Sequence, residues 1–461
     1  MGEGMVAGID WASEVHVACV MDGDGAVASR FSFTHDGAAI RAMAGQLRAA
    51  GVAGVAIERG DGPVVEELLS AGLAVFVVPS RQIKGLRTRY GSAGNKDDRF
   101  DAYVLADTLR TDGHRWKPLR PDTEPTRALR AACRSRKDLV ETRVQVLGQL
   151  RANLELAFPG TIGLFTKLYS TISLAFLQRF PTAAKAAWLS PKRLASWLAS
   201  VGYTGGVSAG ILYDRLATAA PGLTGAEGEA RGQITLALVS VIGALNTQIA
   251  ALDAEIGRLF AAHPDRHIFA SLPRSGTIRA ATLLAEIGDC RQRFPTDDAL
   301  AALAGACPST RQSGKRTQAV FRWSCSKKLR AAVMDFANGS RMADPWAAAI
   351  YAAAIARGCR HPHAIRILAR AWLRIIWRCW QDGTPFDSAL HGARRRKPAS
   401  SVSTLLSNPR ASRKRAMSPV TPTSVAATTG PTPKMSMTLV PDAATTCSSG
   451  LPPESWRAAD C

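Results

Sequence analysis

The stretch VAGIDWASEVHVACV (residues 6–20) decides the fold. Two short apolar runs flank a polar turn, and the first run ends in Asp10. A DGDG turn at 22–25 and the run AVASRFSF at 26–33 follow directly. This pattern of short apolar runs and turn residues predicts three antiparallel strands joined by hairpins.

Strands and helices alternate after this meander. We predict a helix at 37–50, a strand at 54–58, a helix at 63–71, a strand at 73–80, a basic loop at 81–96 and a helix from Asp97. A meander followed by βαβ units predicts an α/β sheet of RNase H type within residues 1–115. The actin and hexokinase type of ATPase opens similarly, but its Gly-rich phosphate loops are missing from this sequence.

Two long helices are predicted next, at about 125–158 and 232–262. The first repeats apolar residues every seven positions, at Cys133, Val140, Leu147 and Leu154. The second alternates spacings of four and three through Leu238, Ile242, Leu245, Ile249, Leu252, Ile256 and Leu259. These heptads predict a coiled-coil stalk at 120–262 with a helical insertion at about 160–230. The two helices could pair antiparallel within one chain, across a dimer, or both.

The remainder is predicted to be mostly helical over 263–393. It begins with FASLPRSGTIRAATLLAEIGD, which resembles a helix-hairpin-helix whose turn could present backbone amides to a phosphate. Ser, Thr and Pro content rises after the RRRK run at 394–397, so residues 394–461 are predicted to be disordered. The expected fold class is therefore α/β plus α.

The charge favours a nucleic-acid partner. The net charge is +21, and the predicted tail contributes +7, so the preceding residues carry +14. Such an excess favours polyanions, although a genome that prefers Arg, together with a basic tail, is the alternative explanation. The candidate contacts lie in two basic segments and are Arg81, Lys84, Arg87, Arg89, Arg311, Lys315, Arg316, Arg322, Lys327 and Lys328.

Nine cysteines never come within four residues of one another, so no CxxC zinc site is predicted. They are interpreted as reduced thiols of a cytoplasmic protein. We find no export leader and no stretch of 18 residues that is both uncharged and strongly apolar, so no membrane partner is expected.

Four carboxylates are spaced for metal-dependent phosphodiester chemistry. Asp10 and Glu58 each end a predicted strand, while Asp98 and Asp101 lie three apart on one helical face. Such chemistry uses divalent ions to neutralise the attacking and leaving oxygens, and oxygen ligands favour Mg²⁺ or Mn²⁺. The competing interpretation is ordinary: acids are common at helix N-termini and after buried strands.

Five motifs together resemble the DEDD-type transposases of bacterial insertion sequences, the IS110 family, which includes the Piv-like DNA invertases. They are GIDWASEVHVACV, VAIERGDG, KDDRFDAYVLADTLR, LPRSGTIRAATLLAEIGD and LAALAGACPSTRQSGKR, and the resemblance spans about residues 5 to 395. It implies a RuvC-like domain, a coiled coil and a transposase domain with a serine before a glycine. Asp10, Glu58, Asp98 and Asp101 match the DEDD positions, and Ser313 matches the serine.

The resemblance further implies a recombinase whose acidic site binds Mg²⁺ and whose serine attacks DNA to form a phosphoserine. Its partners would be donor and target DNA, a bridge RNA, and further copies of the chain in a homodimer or tetramer with a composite site. LPRSGT departs from the commoner Pro-Gly-hydrophobic-Gly turn of the family's hairpin.

Other interpretations stay open. On chemistry alone, Ser313 is a turn residue or phosphate contact, and Ser309 is a nearby competitor. The chain could instead be a RuvC-like junction endonuclease that uses only the carboxylates. It could also be a nucleic-acid-binding module without catalysis.

Overall fold

The structure is a computed structural model that describes residues 4–90, 97–314 and 316–389. The predicted tail at 394–461 lies outside the described residues, as do Lys315 and the side chain of Arg81. The described chain has a mixed α/β N-terminal part and a mostly helical remainder.

A five-stranded sheet forms the N-terminal part. Its strands are β1 (Met5–Asp10), β2 (Val15–Met21), β3 (Val27–Thr34), β4 (Val52–Ile57) and β5 (Ala74–Val77). They lie in the order β3-β2-β1-β4-β5. The first three are antiparallel, whereas β4 runs parallel to both β1 and β5. The predicted meander and βαβ units are confirmed.

Helices cover both faces of this sheet. The first four are α1 (Gly37–Ala49), α2 (Pro63–Ser70), α3 (Ser80–Arg87) and α4 (Asp98–Asp112). Apolar residues of α1 and α2 pack on one face, and those of α3 and α4 pack on the other. The prediction of a basic loop at 81–96 was wrong for its first part. Ile83 is buried against the sheet, and this packing makes Ser80–Arg87 helical despite its cations.

The helix α4 lies directly on β1 at Gly8. A Cβ atom on Gly8 would stand 2.2 Å from the carbonyl oxygen of Ala102 and 2.4 Å from the nitrogen of Ala106. Near the other end of α4, Arg110 donates to the carbonyl of Gly23 in the β2–β3 turn. The helix therefore runs antiparallel to β1, and its N-terminus lies at the edge where β1 ends.

The middle of the chain is a long helical hairpin with an insertion. Its helices are α5 (Glu124–Ala157), α6 (Thr171–Arg179), α7 (Ala183–Ala186), α8 (Pro191–Ser200), α9 (Ala209–Ala217) and α10 (Gly225–Ala262). Ion pairs and hydrogen bonds join Arg136 to Asp253, Arg143 to Asn246 and Asn153 to Thr235. Across these three pairs the residue number in α5 rises as the residue number in α10 falls. The two helices therefore pair antiparallel within one chain.

The expectation that no long uncharged apolar stretch exists was wrong. Residues 232–252 of α10 carry no charged side chain, and an 18-residue window of α10 has a mean hydropathy of 1.7. By length and composition alone this helix could cross a membrane. The core helix of a globular domain passes the same test. In α10, Ile242, Ile249 and Ile256 are buried, but only 22% of the apolar window is buried in all.

The described C-terminal part is helical apart from one β-hairpin. Its elements are α11 (Arg266–Ala270), α12 (Gly276–Ile287), α13 (Asp297–Leu303), β6 (Ser309–Ser313), β7 (Arg316–Val320), α14 (Lys327–Ser340), α15 (Pro345–Ala356) and α16 (His361–Asp382). Trp372 and Trp380 of α16 are completely buried in its core. The hairpin β6–β7 was not predicted.

A buried carboxylate fixes α5 to the C-terminal part. The Asp122 side chain is 1% exposed and forms ion pairs with Arg130 and Arg293. It also accepts hydrogen bonds from the backbone nitrogens of Asp289 and Cys290, at 3.0 and 3.2 Å. Burial alone would raise the pKa of Asp122, but the two guanidinium groups outweigh it and hold the pKa at about 2.

Replacing Gly8 tests the contact between α4 and β1. Gly8→Ala should lower the free energy of unfolding by about 3 kcal/mol, because a Cβ at this position meets backbone atoms that cannot rotate away. Gly45→Ala is the matched control, since Gly45 lies in α1 with nothing within 4 Å, and should stabilise by about 0.5–1 kcal/mol. Thermal unfolding followed by circular dichroism measures both. If Gly8→Ala were as stable as the wild type, the close packing of α4 on β1 would be contradicted.

Asp122 should make stability depend on pH in the acid range. Its pKa is lower in the folded than in the unfolded chain, so the stabilisation is complete above about pH 4 and is lost as the pH falls towards 2. The loss should be about 2 kcal/mol. Asp122→Asn should abolish this dependence and destabilise the protein at neutral pH by about 3 kcal/mol. Asp335→Asn, which removes an exposed partner of Arg279, should cost under about 1 kcal/mol in urea unfolding.

Candidate active site: a carboxylate edge and an exposed serine hairpin

Asp10 and Glu58 leave the sheet side by side. Ile9 of β1 is the register partner of Ile57 of β4, and these strands are parallel. The residues that follow, Asp10 and Glu58, therefore lie at the same edge of the sheet and are both half-buried. Carboxyl ends of parallel strands are where α/β proteins bind ligands.

The start of α4 reaches this edge as well. Asp98 is the first residue of α4 and is exposed, whereas Asp101, one turn further on, is buried. Asp97 caps the helix by accepting a hydrogen bond from the backbone nitrogen of Arg99. The four predicted carboxylates thus come from three elements that meet at one end of the sheet, which we call the carboxylate edge.

Two residues of α3 engage these carboxylates. The Ser80 hydroxyl donates to Glu58, and the Arg87 guanidinium forms a two-point ion pair with Asp101. In the part of the chain that the structure describes, no three His, Cys, Asp or Glu side chains are grouped closely enough to hold a metal ion. Carboxylate oxygens are the donors that Mg²⁺ or Mn²⁺ prefers, so these four side chains could serve such an ion only after Asp101 leaves Arg87.

A group of side chains that sequence analysis did not single out supports the loop after Asp10. The backbone nitrogen of Ala12 donates to Nδ1 of His16, so Nε2 carries the proton and donates to His35 over 2.8 Å. Burial, followed by the nearby His35, lowers the pKa of His16, which keeps it neutral. Arg59 lies 4.4 Å from the centre of the Trp11 ring. The sequence did contain a signal for the burial of His16. Side chains alternate along a strand, so in VHVACV His16 shares one face of β2 with the apolar Ala18 and Val20.

Ser313 ends β6 at the tip of the exposed hairpin. Its register partner is Arg316, and Gly314 turns the chain with a positive φ of 54°. Side chains alternate along a strand, so Ser313 shares one face of the hairpin with Arg311 and Arg316. All three residues are exposed. A hydroxyl that shares an exposed face with two arginines is suited to meet a phosphate.

The predicted phosphate contacts fall into three groups. Arg311, Arg316, Lys327, Lys328 and Lys84 are exposed. Three arginines are already engaged: Arg87 with Asp101, Arg89 with Asp112 at 3.4 Å, and Arg322 with the carbonyls of Cys307 and Pro308. Lys315 and the Arg81 side chain lie outside the described residues.

Comparison with known proteins identifies the family. A family model of DEDD type, described as a transposase, matches residues 7–159, which include all four carboxylates. A second model, described as the transposase IS116/IS110/IS902 family, matches residues 266–352, which include Ser313. The chain belongs to the IS110 family of transposases.

Similar proteins extend this match over most of the transposase. The mini-circle putative transposase for IS117 of Streptomyces coelicolor is 31% identical over 82% of this chain and 94% of its own length. The 43.6 kDa protein of insertion element IS110 from the same species is 27% identical over 69% of this chain and 79% of its own length. The putative transposase y4uE of Sinorhizobium fredii is 35% identical over 43% and 58%.

The pair of Arg87 and Asp101 can be tested by a double-mutant cycle. Arg87→Ala should reduce the free energy of unfolding by about 2–4 kcal/mol, since it leaves a buried carboxylate unpaired. Adding Asp101→Asn should recover part of this loss, because the two effects are coupled. Arg89→Ala, which removes an exposed partner of Asp112, should cost under about 1 kcal/mol. Additive losses in urea unfolding would argue against the pair.

Proposed function

We propose that this transposase cuts and rejoins DNA by attack of the Ser313 hydroxyl on a phosphodiester. The observation that carries the proposal is the face of the hairpin, which exposed Ser313 shares with Arg311 and Arg316. The attack forms a bond between the serine oxygen and phosphorus while the bond to a deoxyribose oxygen breaks. The proton that the serine hydroxyl loses is balanced by the one that the released deoxyribose oxygen gains. A DNA hydroxyl later displaces the serine in the reverse sense, losing its proton as the serine regains one.

The hairpin residues and the carboxylates would have separate tasks. Arg311 and Arg316 would bind the phosphoryl oxygens and neutralise the charge that develops on them. Asp10 and Glu58, with Asp98 and Asp101, would hold Mg²⁺ or Mn²⁺ at the carboxylate edge. A bound metal would supply charge neutralisation at the attacking and leaving oxygens.

Two features support an RNase H or RuvC-like N-terminal domain. The sheet order β3-β2-β1-β4-β5 combines an antiparallel meander with parallel β4 and β5. Acidic residues stand at the ends of β1 and β4 and at the start of α4. We interpret the paired helices α5 and α10 as the stalk that links this domain to the serine-bearing part.

A composite centre formed by a homodimer or tetramer is part of the proposal. Neither strand of the hairpin packs extensively against another described helix or strand, including β1, β4 and α4. Ser313 of one copy could therefore meet the carboxylate edge of another. We also propose guidance by a bridge RNA in the cytoplasm, because exposed cations suit backbone contacts while base pairing selects the donor and target DNA.

Replacing Ser313 provides the decisive experiment. With DNA, RNA encoded beside the gene and Mg²⁺, Ser313→Ala should abolish both strand cleavage and the covalent protein–DNA adduct seen on denaturing gels. Asp10→Ala should abolish both as well, since the carboxylates are required for the attack. Ser309→Ala is the matched control, because it lies on the same strand and the same face, and it should retain activity.

Other results would favour the alternatives. A junction endonuclease that uses only the carboxylates predicts cleavage by Ser313→Ala, no adduct and no need for RNA. Binding without cleavage under any metal condition would indicate a nucleic-acid-binding module. Full activity in both Ser313→Ala and Asp10→Ala would refute the proposal.

A further inference from the structure

Trp323 is unusually exposed for its size. Among the large apolar side chains of residues 4–90, 97–314 and 316–389 it has the greatest exposed fraction, 76%. It follows the last residue of β7, Val320, by three positions. Exposing a tryptophan forgoes the free energy of burying a large aromatic surface, so such a residue indicates a contact partner.

The ring stands on an ordered support. Trp323 contacts Phe321 edge-to-face, with ring centres 4.7 Å apart. The guanidinium groups of Arg330 and Arg366 lie 4.5 and 5.0 Å from the centre of the Phe321 ring. Arg330 also donates to the carbonyl of Arg322, which restrains the backbone just before Trp323. Trp323 is therefore presented from a braced position.

The charge around Trp323 identifies the class of partner. Residues 309–330 contain seven Lys or Arg and no Asp or Glu. Lys327 and Lys328 begin α14, whose first turn has no acidic residue. Cations at the positive end of a helix dipole are unfavourable in the isolated protein and become favourable when a polyanion binds. An aromatic ring among such cations is the combination that binds single-stranded nucleic acid.

The hairpin separates Ser313 from the segment that carries Trp323. Ser313 lies at the tip, and its strand partner β7 returns to the base at Val320, three residues before Trp323. Four residue intervals at about 3.4 Å separate tip from base by roughly 14 Å. A single strand that follows the hairpin from Ser313 towards Trp323 would therefore span several nucleotides.

We propose that Trp323 stacks on an unpaired base of the DNA strand that Ser313 attacks. Lys327 and Lys328 contact phosphates beside that base. That the base belongs to the attacked strand rests on the proposed function of Ser313. The stacking itself needs no cleavage, so binding measurements separate the two proposals.

The test is fluorescence anisotropy with the full chain and a labelled single-stranded DNA, without added metal, over a series of salt concentrations. Trp323→Ala should weaken binding about 5- to 150-fold, the range for losing one stacked base, without changing the salt dependence. Trp323→Phe should restore most of the affinity. Lys327→Ala should instead reduce the slope of log affinity against log salt by about 0.7, because it removes one phosphate contact on a single strand.

Trp188→Ala is the matched control, since Trp188 is also exposed, at 48%, but lies in the helical insertion. It should bind as the wild type does, and the same sequence as duplex should respond less to Trp323→Ala. Unchanged single-strand affinity in Trp323→Ala would overturn the proposal. The proposal would also fail if Trp323→Ala weakened binding only when the labelled strand is RNA. It would fail as well if size-exclusion chromatography showed that altered self-association explains the loss of affinity.

Discussion

The contact between the backbone of α4 and Gly8 of β1 is the constraint on which the carboxylate edge depends. A helix can approach a strand this closely only where the strand has no Cβ. The approach sets α4 antiparallel to β1 and brings Asp98 and Asp101 to the edge where Asp10 and Glu58 emerge. Four acids from three elements share that edge. The contact between helix and strand therefore also brings negative charges close together, and these repel one another.

One ion pair and one hydrogen bond from α3 relieve part of the resulting repulsion. Arg87 neutralises the buried Asp101, and Ser80 donates to Glu58. A buried carboxylate without such a partner is costly, which explains the pairing of Arg87 with Asp101. That Arg87 contacts nucleic acid stays a prediction. A similar arrangement around Asp122 fixes α5 to the C-terminal part, and Arg127 of α5 pairs with Glu66 of α2.

The β6–β7 hairpin, which carries Ser313, is exposed rather than packed. Both of its faces are largely exposed, and a two-stranded hairpin is marginally stable by itself. Among the described residues, Arg311 and Arg316 form no ion pair with an acidic side chain. With the exposed Trp323 nearby, they suit a bound polyanion. This chain therefore carries both an acidic edge and an exposed basic hairpin, and in the proposed function DNA would bring the two together.

Local patterns determined much of this protein. The alternation in residues 6–33 predicted the meander, the heptads predicted α5 and α10, and spacing singled out Asp10, Glu58, Asp98 and Asp101. Motif resemblance added Ser313 and the family; comparison confirmed the family, and the role of Ser313 stays a prediction. Tertiary structure alone decided the rest. α3 is helical because Ile83 is buried against the sheet, and β6–β7 forms a hairpin in a region whose neighbours are helical. The partners of Asp101 and Asp122 and the bracing of Trp323 involve residues 8 to 171 positions apart. Sequence periodicity reports which side of an element is apolar, but it cannot report which distant side chain meets it, because that depends on how the elements pack.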